Sequence, residues 1–186
     1  MGRRSLPFPA PWNSSMPHPS AQRLSSMTLA FLLLCAGGAR ADGCPQEKAI
    51  YGDRDKAYEL RFSEVGSHSA AASNQFKLVV LNTSTVLDGV VMPSDEPLRS
   101  NGVLMFNCPK GDVTGADLRA CIIWQGPIYS VAADGAIGTL PAEGEGAAQQ
   151  VLLAALGPAI RQSSVFGKGK ARVAPWDVFT LKGCGT

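Results

Sequence analysis

The sequence predicts an α+β fold: mainly antiparallel β, sandwich- or barrel-like, with one packed helix near residues 146–157 and two disulfide staples. Three observations lead there. Short apolar runs recur between Gly, Pro, Asn and Asp punctuation, the pattern of strands joined by turns. One stretch carries a helical stripe instead. Four cysteines remain after an export signal, and an even set in an oxidising compartment reads as two bonds.

The export signal comes first in the chain. Met27 to Ala36, MTLAFLLLCA, is a short apolar run with Arg23 upstream and Ala39-Arg40-Ala41 downstream. That order is a signal peptide with cleavage predicted after Ala41. The run is about half the ~20 residues that cross a bilayer, so no stable membrane anchor is expected after cleavage. The proline-rich residues before it have no apolar period and read as a disordered extension. Met16 or Met27 would serve as a start as well as Met1.

The predicted division is therefore 1–41, extension plus signal, and 42–186, a single mature domain that is periplasmic or secreted. The leader takes four of the 17 basic residues (Arg3, Arg4, Arg23, Arg40) and none of the 15 acids, so 13 bases face 15 acids at a net charge of −2. Such a balance argues against nucleic acid as a partner, because that needs clustered positive charge.

Cys44, Cys108, Cys121 and Cys184 remain in the mature chain. The predicted bonds are Cys108–Cys121, around a short loop with Pro109, Gly111 and Gly115, and Cys44–Cys184, at the two ends of the domain, which commonly lie close together. Loop closure assigns roughly 3 kcal/mol to the first and about 5 kcal/mol to the second. A zinc site would want closely spaced ligand pairs and a redox site C-x-x-C; neither spacing occurs.

Ala57 to Phe62, AYELRF, alternates Tyr, Leu and Phe against Glu and Arg, as a half-buried strand does. Gln75 to Asn82, QFKLVVLN, is apolar on both faces and is expected to be covered on both. Val86 to Met92 is expected to break at Asp88-Gly89, and Val103 to Phe106 and Ile122 to Trp124 follow as further short strands. Pro93-Ser94-Asp95, Asn101-Gly102 and Asp134-Gly135 read as turns, and Gly126-Pro127 as a bulge or bend before Ile128 to Val131. AAQQVLLAAL, from Ala147, gives the helical stripe, which Gly157-Pro158 should end or kink. Lys168 to Arg172, KGKAR, fits a solvated edge strand. WDVFTL, Trp176 to Leu181, is the closing strand. Trp124, Tyr129 and Trp176 are expected in the core.

The chemistry-bearing residues are few. The mature chain has one histidine, His68, beside serines in a small-residue loop, and no G-x-S-x-G elbow. Gly144 to Gln149, GEGAAQ, lacks the third glycine of a dinucleotide loop. No catalytic residue, cofactor or metal set is assigned. The residues singled out as a ligand surface are Asp53 and Asp55, flanked by Tyr51 and Tyr58, together with His68. The reading is a small exported protein, a non-enzymatic binding or interaction module whose partner is an unnamed envelope protein or ligand. The alternatives are a carboxylate-based hydrolase of envelope glycan, for which two carboxylates suffice, and an inhibitor inserting the loop Val65 to Asn74 into another secreted enzyme.

Overall fold

A computed structural model describes residues 43–66, 71–111 and 114–185; the predicted signal-bearing segment 1–41 and His68 lie outside them. The chain runs β1 (Ala49–Asp53), β2 (Tyr58–Ser63), β3 (Asn74–Val80), β4 (Val86–Asp95), β5 (Leu98–Met105), α1 (Gly115–Cys121), β6 (Ile122–Val131), β7 (Ile137–Gly138), β8 (Gln150–Leu153), α2 (Leu156–Gln162) and β9 (Val178–Cys184). Each strand is antiparallel to its neighbours, in the order β1-β2-β3-β4-β5-β6-β8-β9 and back to β1, with β7 added on β6. The result is a closed eight-stranded barrel, which leaves no open wall edge.

Alternation builds the wall. In β2 Tyr58, Leu60 and Phe62 point in while Arg61 and Ser63 are exposed. In β3 Phe76, Leu78 and Val80 are buried and Lys77 is exposed. β3 is thus covered on one face, correcting the expectation of two; its outer valine lies on the barrel exterior. An eight-stranded barrel has an interior just wide enough for side chains to fill it. Here Tyr51, Phe62, Phe76, Ile128, Leu153 and Phe179 do so, all buried. Gly89 faces the Phe76 ring, and a methyl there would lie 2.4 Å from ring carbons. That contact accounts for the glycine, and pairing with β3 and β5 on both sides carries β4 unbroken through Asp88-Gly89.

Two further turn signals sit inside strands. Pro93-Ser94-Asp95 ends β4 and Asn101-Gly102 pairs with Gly126 and Pro127 of β6. Pairing with β5 alone keeps Pro93–Asp95 extended, whereas Asn101-Gly102 is laddered on both sides, to β4 and β6; in each case the ladder overrides the local turn preference. Ile122–Val131 is continuous, and the register shift lies between Leu104 and Met105, opposite the start of β6, away from Gly126-Pro127.

The helix expected at 146–157 is replaced by β8 and a turn, with α2 beginning only at Leu156. Val151 and Leu153 point inward from a four-residue strand held by β6 and β9, too short to separate period 2 from period 3.6. Gly157-Pro158 then opens α2 instead of ending it, since proline is accepted in a first helical turn. Both helices have seven residues, so the fold is mostly β and the α+β label holds only loosely.

The barrel has two distinct ends. At one, the chain enters β1 and leaves β9, and Cys44 is bonded to Cys184. Tyr51 Oη donates to the buried Gln46 there, and Asn74 and Ser100 hold the Leu140–Pro141 segment. The other end carries the β1–β2 and β3–β4 turns, α1 with the Cys108–Cys121 bond, and the α2 segment. Leu156, Ile160, Val165 and Ala171 close that end from within the core, and Tyr58 Oη donates to Val173 O at 2.6 Å. Both cysteine pairings match the sequence reading. Lys168 to Arg172 forms a turn with a single bridge between Phe166 and Ala171, and Gly167 and Gly169 at positive φ carry it. It is not an edge strand, because the closed wall has no vacancy for one.

Candidate functional site

The β1–β2 turn organises the end of the barrel that carries α2. Asp53 is buried there, its Oδ1 accepting from Ala57 N and Tyr58 N at 2.8 Å each and its Oδ2 from Asp55 N at 3.3 Å. Short polar side chains that bond the backbone a few residues on make such turns. Asp53 therefore shapes the turn, and both its oxygens are engaged.

Asp55 does something different. Its Oδ2 accepts from Trp176 Nε1 at 2.9 Å and its Oδ1 from Arg54 Nε at 3.3 Å. The Arg54 guanidinium lies 3.8 Å from the centroid of the Trp176 ring, within cation–π range. Trp176 is nonetheless 50% exposed, which corrects its placement in the core. In β9 Phe179 points inward and Val178 outward, and Trp176 lies in phase with Val178. Trp124 is buried as expected, its Nε1 bonded to Ala154 O, and Tyr129 is half-buried.

The backbone that carries Trp176 is held from behind. Asp177 accepts from Ala155 N at 2.8 Å and from Gly157 N at 3.4 Å. A methyl at Gly157 would sit 2.5 Å from Pro175 O, so the glycine lets α2 pack directly under the Pro175–Trp176 peptide. The ring is thus fixed at its edge by Asp55, on one face by Arg54, and at its root by α2.

Trp176 stands between two clefts. The larger, about 980 Å³, includes Gly52, Arg54, Lys56, Pro158, Val178 and Lys182 among its walls. The smaller, about 560 Å³, is lined by Asp55, Pro158, Arg161, Gln162, Arg172 and Trp176, among others. Clefts of this size with an apolar lining and a few polar groups are the usual form of small-ligand sites. On the wall of the larger one, Lys182 crosses over Gly52 to Glu59, which also takes Arg61. The hydrogen bond from Lys182 holds the Glu59 carboxyl below its ordinary value, against the effect of burial, with Arg61 adding to it. Burial and the neighbouring Asp53 push the Tyr58 phenol up to about 12.

Of the residues singled out from sequence, Asp53 and Asp55 share this turn. His68 lies outside the described residues, and β2 and β3 meet its connection at the opposite end of the barrel. Trp176 was assigned to the core and Arg172 to an edge strand, and Arg161 was not singled out. The readable signal was the phase of WDVFTL, which sets Trp176 opposite the inward Phe179. Among the described residues no cluster of three or more His, Cys, Asp or Glu is placed to hold a metal ion, and no helix is long and apolar enough to cross a membrane. No family model matches this chain, and no curated protein or solved structure matches it either.

Proposed function

We propose that this is an exported, non-enzymatic binding module of the cell envelope, with its ligand held outside the barrel at the Trp176 end. Two disulfides favour an oxidising compartment. The barrel interior is packed with side chains and both ends are covered, which directs a ligand to the exterior. One observation carries the reading: a half-exposed tryptophan is held rigid by Asp55 and Arg54 between two clefts. Ordering a large aromatic side chain in water gives folding little return, whereas a pre-ordered ring lowers the cost of binding.

The hydrolase alternative gains no support from Asp53 and Asp55. A general acid or nucleophile needs an accessible oxygen, and those of Asp53 are committed to the backbone while those of Asp55 hold Trp176 and Arg54.

Amide exchange on the exported, oxidised protein, with a panel of soluble wall peptides and oligosaccharides, tests the reading. Protection at 53–56 and 174–178 that disappears in Trp176→Ala is the expected result. Protection confined to the opposite end, or turnover of a glycan abolished by Asp55→Asn, would overturn it.

A further inference from the structure

The two clefts beside Trp176 differ in charge. In the larger one, Arg54 and Lys182 are already paired with Asp55 and Glu59, and the wall that carries Lys56 also carries Asp53 and Asp177. Its floor of Pro158, Pro175 and Val178 is apolar, and Gln150 and Thr180 add hydroxyl-bonding groups. In the smaller cleft Asp55 is the acid on the wall, and it is neutralised by Arg54. Arg161 and Arg172 face that cleft and form no ion pair with any described residue. Arg161 rests near the Phe166 ring at 5.8 Å, an apolar support that leaves its N–H groups unspent.

From this asymmetry we infer that the site takes an acidic saccharide, with a pyranose ring against Trp176 and its carboxylate or phosphate at Arg161 and Arg172. The inference rests on the binding reading above and names the ligand class. A pyranose has apolar C–H faces and a hydroxyl rim, which fits a flat ring flanked by prolines and amide or hydroxyl groups. Guanidinium groups match the flat, two-oxygen geometry of carboxylate and phosphate. A chain of sugars spans both clefts, with neutral units on the larger, charge-balanced side. Trp176 lines both clefts and Arg54 lines the larger one, so the ring forms the wall that such a chain crosses.

Calorimetric titration of the exported, oxidised protein tests this with a galacturonate tetramer, its methyl ester, and glucose 6-phosphate. The acid tetramer or the sugar phosphate should bind, with the ester weaker by about tenfold or more, the scale of charge-assisted hydrogen bonds. Arg161→Gln/Arg172→Gln should lose that margin while leaving ester binding unchanged, and Trp176→Ala should weaken every probe that binds. Binding by the uronate alone or the phosphate alone identifies the anion and supports the inference. Equal binding of acid and ester, or an unaffected double variant, removes the anion assignment and leaves the Trp176 site standing. Absence of binding by all three probes overturns the saccharide class. Binding that ignores Trp176→Ala overturns the site itself.

Discussion

Lys182 reaches Glu59 across an intervening strand. Its Nζ lies 2.6 Å from Glu59 Oε1, and its methylenes pass over Gly52 of β1, which pairs with Glu59 on one side and Thr180 on the other. A methyl at Gly52 would stand 2.6 Å from Lys182 Cδ. Glycine here is the gap through which β9 is tied to β2.

The tie has a pH signature. Glu59 titrates below its ordinary 4.5, chiefly because of the hydrogen bond from Lys182. As pH falls, the unfolded chain takes up this proton before the folded one does. The contribution is therefore full above about 4.5 and is lost as pH drops through the lower folded value. Denaturation midpoints measured against pH should fall on the acid side, and Glu59→Gln should flatten that limb. Gly52→Ala should flatten it as well, while leaving the neutral-pH fold intact.

Two tyrosines set the alkaline limit. Burial pushes Tyr51 and Tyr58 up to about 12 from 10. The unfolded chain releases these protons first, so stability is full below 10 and declines as pH rises towards 12. Phenolate absorbance of the native protein should therefore show two groups ionising near 12, together with loss of the fold. Tyr58→Phe should remove one of them and cost about 1 kcal/mol for the lost bond to Val173 O.

Gly89 and Phe76 are matched halves of one contact. Gly89→Ala should cost roughly 1–3 kcal/mol by overpacking, because the Phe76 ring it would meet is buried and packed against Phe62. In a Phe76→Leu background the same substitution should cost less. A double-mutant cycle by urea denaturation reads that coupling directly, and an additive cycle would contradict the contact.

Asp53 and Asp55 should separate cleanly. Asp53→Ala strips the acceptor from Ala57 N and Tyr58 N and should lower stability by at least about 2 kcal/mol. Asp55→Ala acts on exposed groups and should stay within about 0.5 kcal/mol, yet it frees the Trp176 indole and should shift its emission. If Asp55→Ala proves the more destabilising, the roles given to the two carboxylates are reversed.

What could be read beforehand follows physical lines. Tyr58, Leu60 and Phe62 alternate against charged neighbours, so β2 was legible, as was β9 around Phe179. The cysteine pairings were legible from spacing and chain ends. Gly89 and Gly102 were misleading because their reason is not local: each faces a ring or branched chain from another strand, Phe76 for one, Trp124 and Ile128 for the other. Val151 to Leu153 was misread because four residues carry too little periodicity. At the site, Asp55 was visible as a charge near aromatics, but its partner Trp176 lies 121 positions away. Only closure of the barrel brings the two together.

That closure joins the first strand to the last. While the chain is being synthesised, β1 can pair with β2 on one side, but its other side stays raw until β9 is delivered. Ring formation thus awaits the arrival of β9, with the Cys44–Cys184 bond as its clasp. Deleting Val178–Cys184 would not yield a slightly smaller barrel. It would yield an open sheet with two sticky margins, β1 and β8, ready to add strands from any neighbour.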